Sequence, residues 1–124
     1  MAAFCPCDSG KSYAECCGVF HRGDATAGTA EALMRSRYSA YALGDKDYLL
    51  RTWHSTTRPK RLEFDPDLRW TGLRILSTTG GSPFHKAGTV EFDASYEQNG
   101  HVEVMHENSS FTREDGHWVY VRAT

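Results

Sequence analysis

Two dipeptides near the end of the chain, Asn99-Gly100 and Asp115-Gly116, constrain the fold more than any other feature of the 124 residues. Each lies between runs of alternating apolar and polar residues. Asn-Gly and Asp-Gly readily supply the positive φ angles that two-residue hairpin turns demand. Each turn therefore sets a register. With Gln98 facing His101, Phe92 lies opposite Glu107, Ala94 opposite Met105 and Tyr96 opposite Glu103. With Glu114 facing His117, Phe111 lies opposite Tyr120 and Arg113 opposite Trp118. Cross-strand partners share a face. One face then collects Val90, Phe92, Ala94, Tyr96, Met105, Phe111, Trp118 and Tyr120, and it is the face expected to be covered. The other carries Glu91, Asp93, Ser95, Glu97, His106, Asn108 and Thr112, with Val102, Val104, Val119 and Val121 among them. A bulge near 108–110 would flip part of this assignment.

The strands expected from this pattern are 69–76, 89–98, 101–113 and 117–122, with Gly80-Gly81 breaking the first from the second. Helices precede them. Thr29 is placed to cap a helix in which Ala30, Leu33, Met34, Tyr38, Tyr41 and Ala42 form an apolar stripe, and Gly44 is a natural stop. Asp45 can cap a second helix from Lys46 to about Trp53, with Tyr48, Leu49, Thr52 and Trp53 inward. The stretch 55–66 is polar, contains Pro59 and Pro66, and reads as a loop whose Arg58, Lys60 and Arg61 are solvated. Two helices before an antiparallel meander make an α+β domain. Its helices pack on one face of a curved antiparallel sheet, a cone-like form that often encloses a pocket. This domain is expected over 29–124. Residues 1–28, rich in Cys and Gly and without periodicity, read as a small knuckle and linker.

Composition narrows the function classes. A net charge of −2 offers no basic face, so nucleic acid is not an expected partner. No apolar run approaches the roughly 20 residues of a membrane span. Met1 to Phe4 lack the basic and apolar regions of an export signal, so a cytoplasmic location is expected. No Ser-His-Asp series, phosphate-binding glycine loop or metal-carboxylate cluster is evident.

All four cysteines fall in the first 17 residues, at Cys5, Cys7, Cys16 and Cys17. Two disulfides would need an oxidising compartment, and adjacent Cys16 and Cys17 do not easily bond each other. A cytosolic thiol cluster is more often a metal site. A Cys-x-Cys turn and a Cys-Cys pair eight residues later can supply the four ligands of a tetrahedral zinc ion. Gly10 and Gly18 suit a tight knuckle, and Tyr13 and Phe4 can shield it. Four protein ligands leave no open position, so the site reads as structural. His21 is close enough in sequence to stand in for Cys17.

The segment Cys5 to Gly18 resembles the SEC-C motif, Cys-x-Cys-x8-Cys-(Cys or His), also found at the C-terminus of the translocation ATPase SecA. The resemblance places the four zinc ligands on Cys5, Cys7, Cys16 and Cys17, and Ser9-Gly10-Lys11 and Tyr13 match as well. The rest of the chain resembles the YchJ-like family of bacterial proteins. The resemblance is carried by 32–41, by Tyr48 through His54, by 70–73, and by His106-Glu107 through Phe111 with Arg113 to Gly116. The family pairs a SEC-C knuckle with a domain like nuclear transport factor two, a helix-on-curved-sheet cone. In SecA the similar motif contacts other proteins and the ribosome. Here Asp8 and Glu15 offset Lys11 and Arg22, so a docking knuckle is expected to meet a protein partner.

The second functional expectation is a small-molecule ligand or an enzymatic site inside the cone. Its candidates are Tyr38, Trp53, His54, Glu107 and Arg122. Glu107 falls on the apolar face, where an unpaired carboxylate would have a raised pKa and could act as a base. Arg122, diagonal across the last hairpin, is its most obvious partner, and a structural Glu–Arg or Glu–Tyr contact is the plainer reading. His54, at the end of the second helix, can line the pocket mouth. Tyr38 and Tyr41 read as core aromatics. Asp93, facing His106, reads as a surface ion pair of little energetic weight.

Overall fold

The computed structural model describes residues 4–123; the reading of Met1–Ala3 lies outside them. A 3₁₀ turn (Tyr13–Glu15) leads into α1 (Cys17–His21), α2 (Ala30–Leu43) and α3 (Lys46–Arg51). Four strands follow: β1 (Leu68–Gly80), β2 (Ala87–Gln98), β3 (His101–Glu114) and β4 (His117–Ala123). They form one open antiparallel sheet in the order β1-β2-β3-β4, with helices against one face. The fold class is α+β.

Local chemistry accounts for the helix limits. The Thr29 hydroxyl accepts the Ala32 N–H at 3.0 Å and Glu31 sits in the first turn of α2. Gly44 ends that helix in the left-handed region at φ 76°. Asp45 accepts the Tyr48 N–H at 3.1 Å and starts α3. That helix stops at Arg51, two residues before the expected Trp53. The chain instead turns out along the edge of β4: the Tyr120 N–H donates to the Thr52 carbonyl and the His54 N–H to the Tyr120 carbonyl, each at 2.8 Å.

Both hairpins hold the register derived from their turns. Asn99 and Gly100 take φ 53° and 81°, and Asp115 and Gly116 take 53° and 82°. Phe92 pairs with Glu107, Ala94 with Met105, Phe111 with Tyr120 and Arg113 with Trp118. The β2–β3 ladder runs without a break past 108–110, so Ser109 stays on the inner face beside Val90. The irregularities lie on the outer strands. The register shifts after Trp70 and after Ile75 in β1, and between Tyr120 and Arg122 in β4. Extra residues on the outer strands bend and twist a sheet, which lets it wrap the helices.

Val90, Phe92, Ala94, Phe111 and Trp118 are buried on the inner face, whereas Val102 and Val104 are 69 % and 59 % exposed on the outer one. Helix α2 is buried almost all round, not along one stripe. Its far side carries Ser36, Ser39 and Ala40, all at 0 % exposure, because α1, α3 and the N-terminal knuckle cover it. The polar groups buried there are satisfied: the Ser36 hydroxyl donates to the Leu33 carbonyl at 2.8 Å and lies 2.6 Å from the Tyr48 hydroxyl. Cys5, Cys7 and Cys17 belong to the same apolar cluster as Leu33, Met34, Tyr38 and Phe92. A second cluster, Ala40, Tyr48 and Leu49, is flanked by Phe20, Leu62 and Phe64. No helix among the described residues is long and apolar enough to cross a membrane.

Candidate metal centre and cone cavity

The knuckle is a short loop closed on itself. The Cys5 N–H donates to the Lys11 carbonyl at 2.8 Å and the Asp8 N–H to the Cys5 carbonyl at 3.2 Å. Asp8 at φ 61° and Gly10 at φ 85° make the reversal between them. Gly18 serves differently. It lies within α1, and a Cβ there would fall 2.6 Å from the Tyr13 carbonyl oxygen. Its role is close approach of the 3₁₀ turn to the helix. Phe4, expected to shield the cluster, is 78 % exposed.

These constraints bring the sulfurs of Cys5, Cys7, Cys16 and Cys17 within 4.8 Å of one another, all as free thiols. The Cys7 and Cys16 sulfurs are 3.7 Å apart. The cluster can hold a metal ion. Its protons are shared, as expected for crowded thiols. Cys7 is held far below the usual thiol range, at about 4, chiefly by its hydrogen bond with Cys17, against burial. Cys17 is pushed up, first by that same bond and then by burial. Burial also raises Cys16.

A shell from α2, β1 and the knuckle itself holds the thiols in place. Arg35 Nη1 donates to the Cys7 carbonyl at 2.8 Å, while its Nε is held by Glu31 at 3.2 Å. Ser39 Oγ lies 3.4 Å from the Cys5 sulfur, and Ser9 Oγ 3.1 Å from that of Cys16. Asp8 Oδ2 accepts the Leu73 N–H at 3.0 Å.

His21 is engaged elsewhere. Its Nδ1 is 2.6 Å from the Tyr13 hydroxyl and its Nε2 is 2.8 Å from the Ser36 carbonyl. The carbonyl only accepts, so Nε2 carries the proton and Nδ1 accepts from Tyr13. With both nitrogens used, His21 is not available to replace Cys17. It is a bolt between knuckle and α2.

A cavity of about 250 Å³ opens between α2 and the inner face of the sheet. Of the five candidates, Tyr38 and Glu107 border it; Trp53, His54 and Arg122 do not. His54 Nε2 lies 3.6 Å from Glu114, on the surface, with its Nδ1 2.7 Å from the Thr56 hydroxyl. Glu114 is held below the usual carboxylate range, first by the Ser55 hydroxyl bond. Arg122 is exposed on β4 opposite Ser110 and forms no ion pair with Glu107. Trp53 lies behind the wall, edge-on to Tyr120 with ring centroids 5.2 Å apart.

The cation in the cavity wall is Arg37, at 4 % exposure. Its guanidinium carbon lies 4.9 Å from the Trp53 ring centroid and 4.7 Å from that of Tyr120. Nη1 donates to the Leu49 carbonyl and the Thr52 hydroxyl, both at 2.8 Å. Burial lowers its pKa to about 10, so it stays charged at neutral pH. Burial likewise raises Tyr38 to about 12 and raises Tyr41. The signal for Arg37 is in the helix pattern. It stands three residues after Met34 and four before Tyr41, a charged residue on the apolar stripe.

Comparison with known proteins agrees with this architecture. Residues 29–123 match the family model described as YchJ, middle NTF2-like domain. The UPF0225 protein of Streptomyces coelicolor is 60% identical over 116 residues, covering 94% of this chain and 90% of the relative. That of Chromobacterium violaceum is 52% identical over 123 residues, covering 96% and 90%. Among solved structures, a SEC-C motif containing protein from Rhodopseudomonas palustris superposes with a TM-score of 0.84 at 34% identity, covering 100% of this chain and 98% of that one. One from Psychrobacter arcticus gives 0.78 at 25% identity, covering 94% and 79%. The chain belongs to the YchJ-like UPF0225 family, with a SEC-C type cysteine cluster set against its NTF2-like domain.

Proposed function

We propose that this protein is a zinc-binding accessory protein of the cytoplasm whose knuckle is held by a structural zinc and docks a protein partner. The observation that carries the reading is the mutual approach of four thiols within 4.8 Å. A tetrahedron of thiolates with zinc–sulfur bonds of about 2.3 Å has edges of about 3.8 Å. The Cys7–Cys16 separation of 3.7 Å fits that edge. An all-thiolate donor set suits zinc and leaves no site for substrate or water, so the metal would fix the fold of the knuckle. Free thiols are compatible with a reducing compartment. The exposed Phe4 ring, one residue before Cys5, is an apolar anchor of the kind protein interfaces favour.

Metal analysis of the purified protein tests the metal. One zinc per chain, lost on Cys7→Ser, is expected; a metal-free protein with paired cysteines would overturn the reading. For docking, Phe4→Ser is expected to weaken partner capture while leaving zinc content at one.

A second reading, ligand binding in the cone, is favoured by one observation. Arg37 and Glu107 border the same cavity, and neither takes part in an ion pair within 4.0 Å among the described residues.

A further inference from the structure

The cone cavity has a charge arrangement that apolar packing does not require. Arg37 is buried on the inner side of α2, and Glu107 stands opposite on β3. An isolated charge taken out of water is costly unless paired or hydrogen-bonded. Arg37 is held by two aromatic faces and by two acceptors, the Leu49 carbonyl and the Thr52 hydroxyl, which together use both hydrogens of Nη1. A guanidinium has five N–H donors, so three remain on Nε and Nη2. Towards the cavity these have the Tyr41 hydroxyl as a neighbour, and no carboxylate. Glu107 makes no ion pair within 4.0 Å among the described residues; its charge is felt by the hydroxyls of Tyr41 and Tyr120. The two charges do not pair with each other within 4.0 Å, and both border a space walled by Tyr38, Trp70 and Met105.

A plain anion placed there would gain Arg37 and be repelled by Glu107. A plain cation would meet the reverse. A molecule bearing both charges satisfies both residues. The volume, about 250 Å³, exceeds the roughly 150 Å³ that admits a benzene ring and falls below the range of drug-sized sites. We infer that the cavity is a binding site for a small zwitterion with an apolar or aromatic body, its carboxylate taken by Arg37 and its ammonium group by Glu107. This inference rests on the ligand-binding reading of the cone and is independent of the metal. The guanidinium is already positioned by Trp53, Tyr120, Leu49 and Thr52, so little ordering would accompany binding.

The test uses the whole 124-residue chain, as purified, and isothermal titration calorimetry. The probes are L-phenylalanine, whose charges sit on one carbon, and 4-(aminomethyl)benzoate, whose charges lie across a ring. Each is compared with its amide, which lacks the carboxylate, and its N-acetyl form, which lacks the ammonium. The expected result is saturable binding of at least one parent probe, with both derivatives weakened by about tenfold or more, since a site built for a polar group rejects analogues lacking it. Which parent binds reports the spacing of the charges. Glu107→Gln is expected to remove the discrimination against the N-acetyl form, and Arg37→Lys to weaken the parent by about tenfold because the planar fork is lost. Where Arg37→Lys fails to fold, the derivative series on the unaltered protein decides the matter. Equal binding of parent and N-acetyl form would overturn the zwitterion and leave ligand binding standing. Binding of none of the probes would overturn both.

Discussion

The carboxylate of Asp8 accepts the backbone N–H of Leu73 at 3.0 Å, joining the knuckle to a strand 65 residues further along. Leu73 is buried in β1 and the bond is formed beside the register shift that follows Trp70. Knuckle and cone are thereby one packed body at this point. Asp8→Ala is expected to cost about 1 kcal/mol, because it removes a charge-assisted bond from a part-buried donor. Urea unfolding should show the loss with metal content unchanged.

Metal retention should depend on acid. Thiols must lose protons to bind a cation, so binding releases protons and weakens as pH falls. On the zinc reading proposed above, release of the metal on stepwise acidification, followed with a colorimetric chelator, is expected to precede global unfolding. Ser39→Ala, which removes the hydroxyl beside the Cys5 sulfur, is expected to weaken affinity about 10- to 100-fold without abolishing it.

Gly18→Ala places a methyl group 2.6 Å from the Tyr13 carbonyl, and backbone must move to admit it. The expected cost is about 1–3 kcal/mol. Thermal denaturation checks it.

His106 on the outer face is held by Asp93 at 2.7 Å and Glu91 at 2.9 Å. These bonds, Asp93 first, raise its pKa above the ordinary value of about 6.5. The charged form therefore favours the folded state. That contribution is complete below about pH 6.5 and is lost as pH rises through the raised folded value. The ring is half exposed, so the effect on stability is small. An NMR titration should place the midpoint above 6.5, and Asp93→Asn should bring it down.

Much of this was legible in the chain. Asn99-Gly100 and Asp115-Gly116 carry register because their turns admit few alternatives, and Thr29, Gly44 and Asp45 mark helix ends by local hydrogen bonding and φ. What was not legible is set by tertiary contact. Trp53 continues the helical pattern of α3, yet its chain pairs with Tyr120, a partner 67 residues away. The shifts in β1 and β4 follow from wrapping the sheet around α2. At the site, the four cysteines come together, while Arg122 was paired with Glu107 on diagonal geometry alone. The cation inside is Arg37, whose charge argues for the surface until two aromatic rings are seen to flank it.

An open sheet has two outer strands, and each here is bonded at one point by another part of the chain. The Thr52–His54 segment lies along β4, and the Asp8 loop lies against β1. Uncovered strands recruit other chains by extending the ladder. The contact on β4 belongs to the main chain of the cone, but that on β1 comes from a loop whose shape depends on the thiol cluster. Loosening of the knuckle should therefore release the Leu73 N–H and leave the Tyr120 bonds in place, so amide exchange at Leu73 should speed up while that at Tyr120 stays slow.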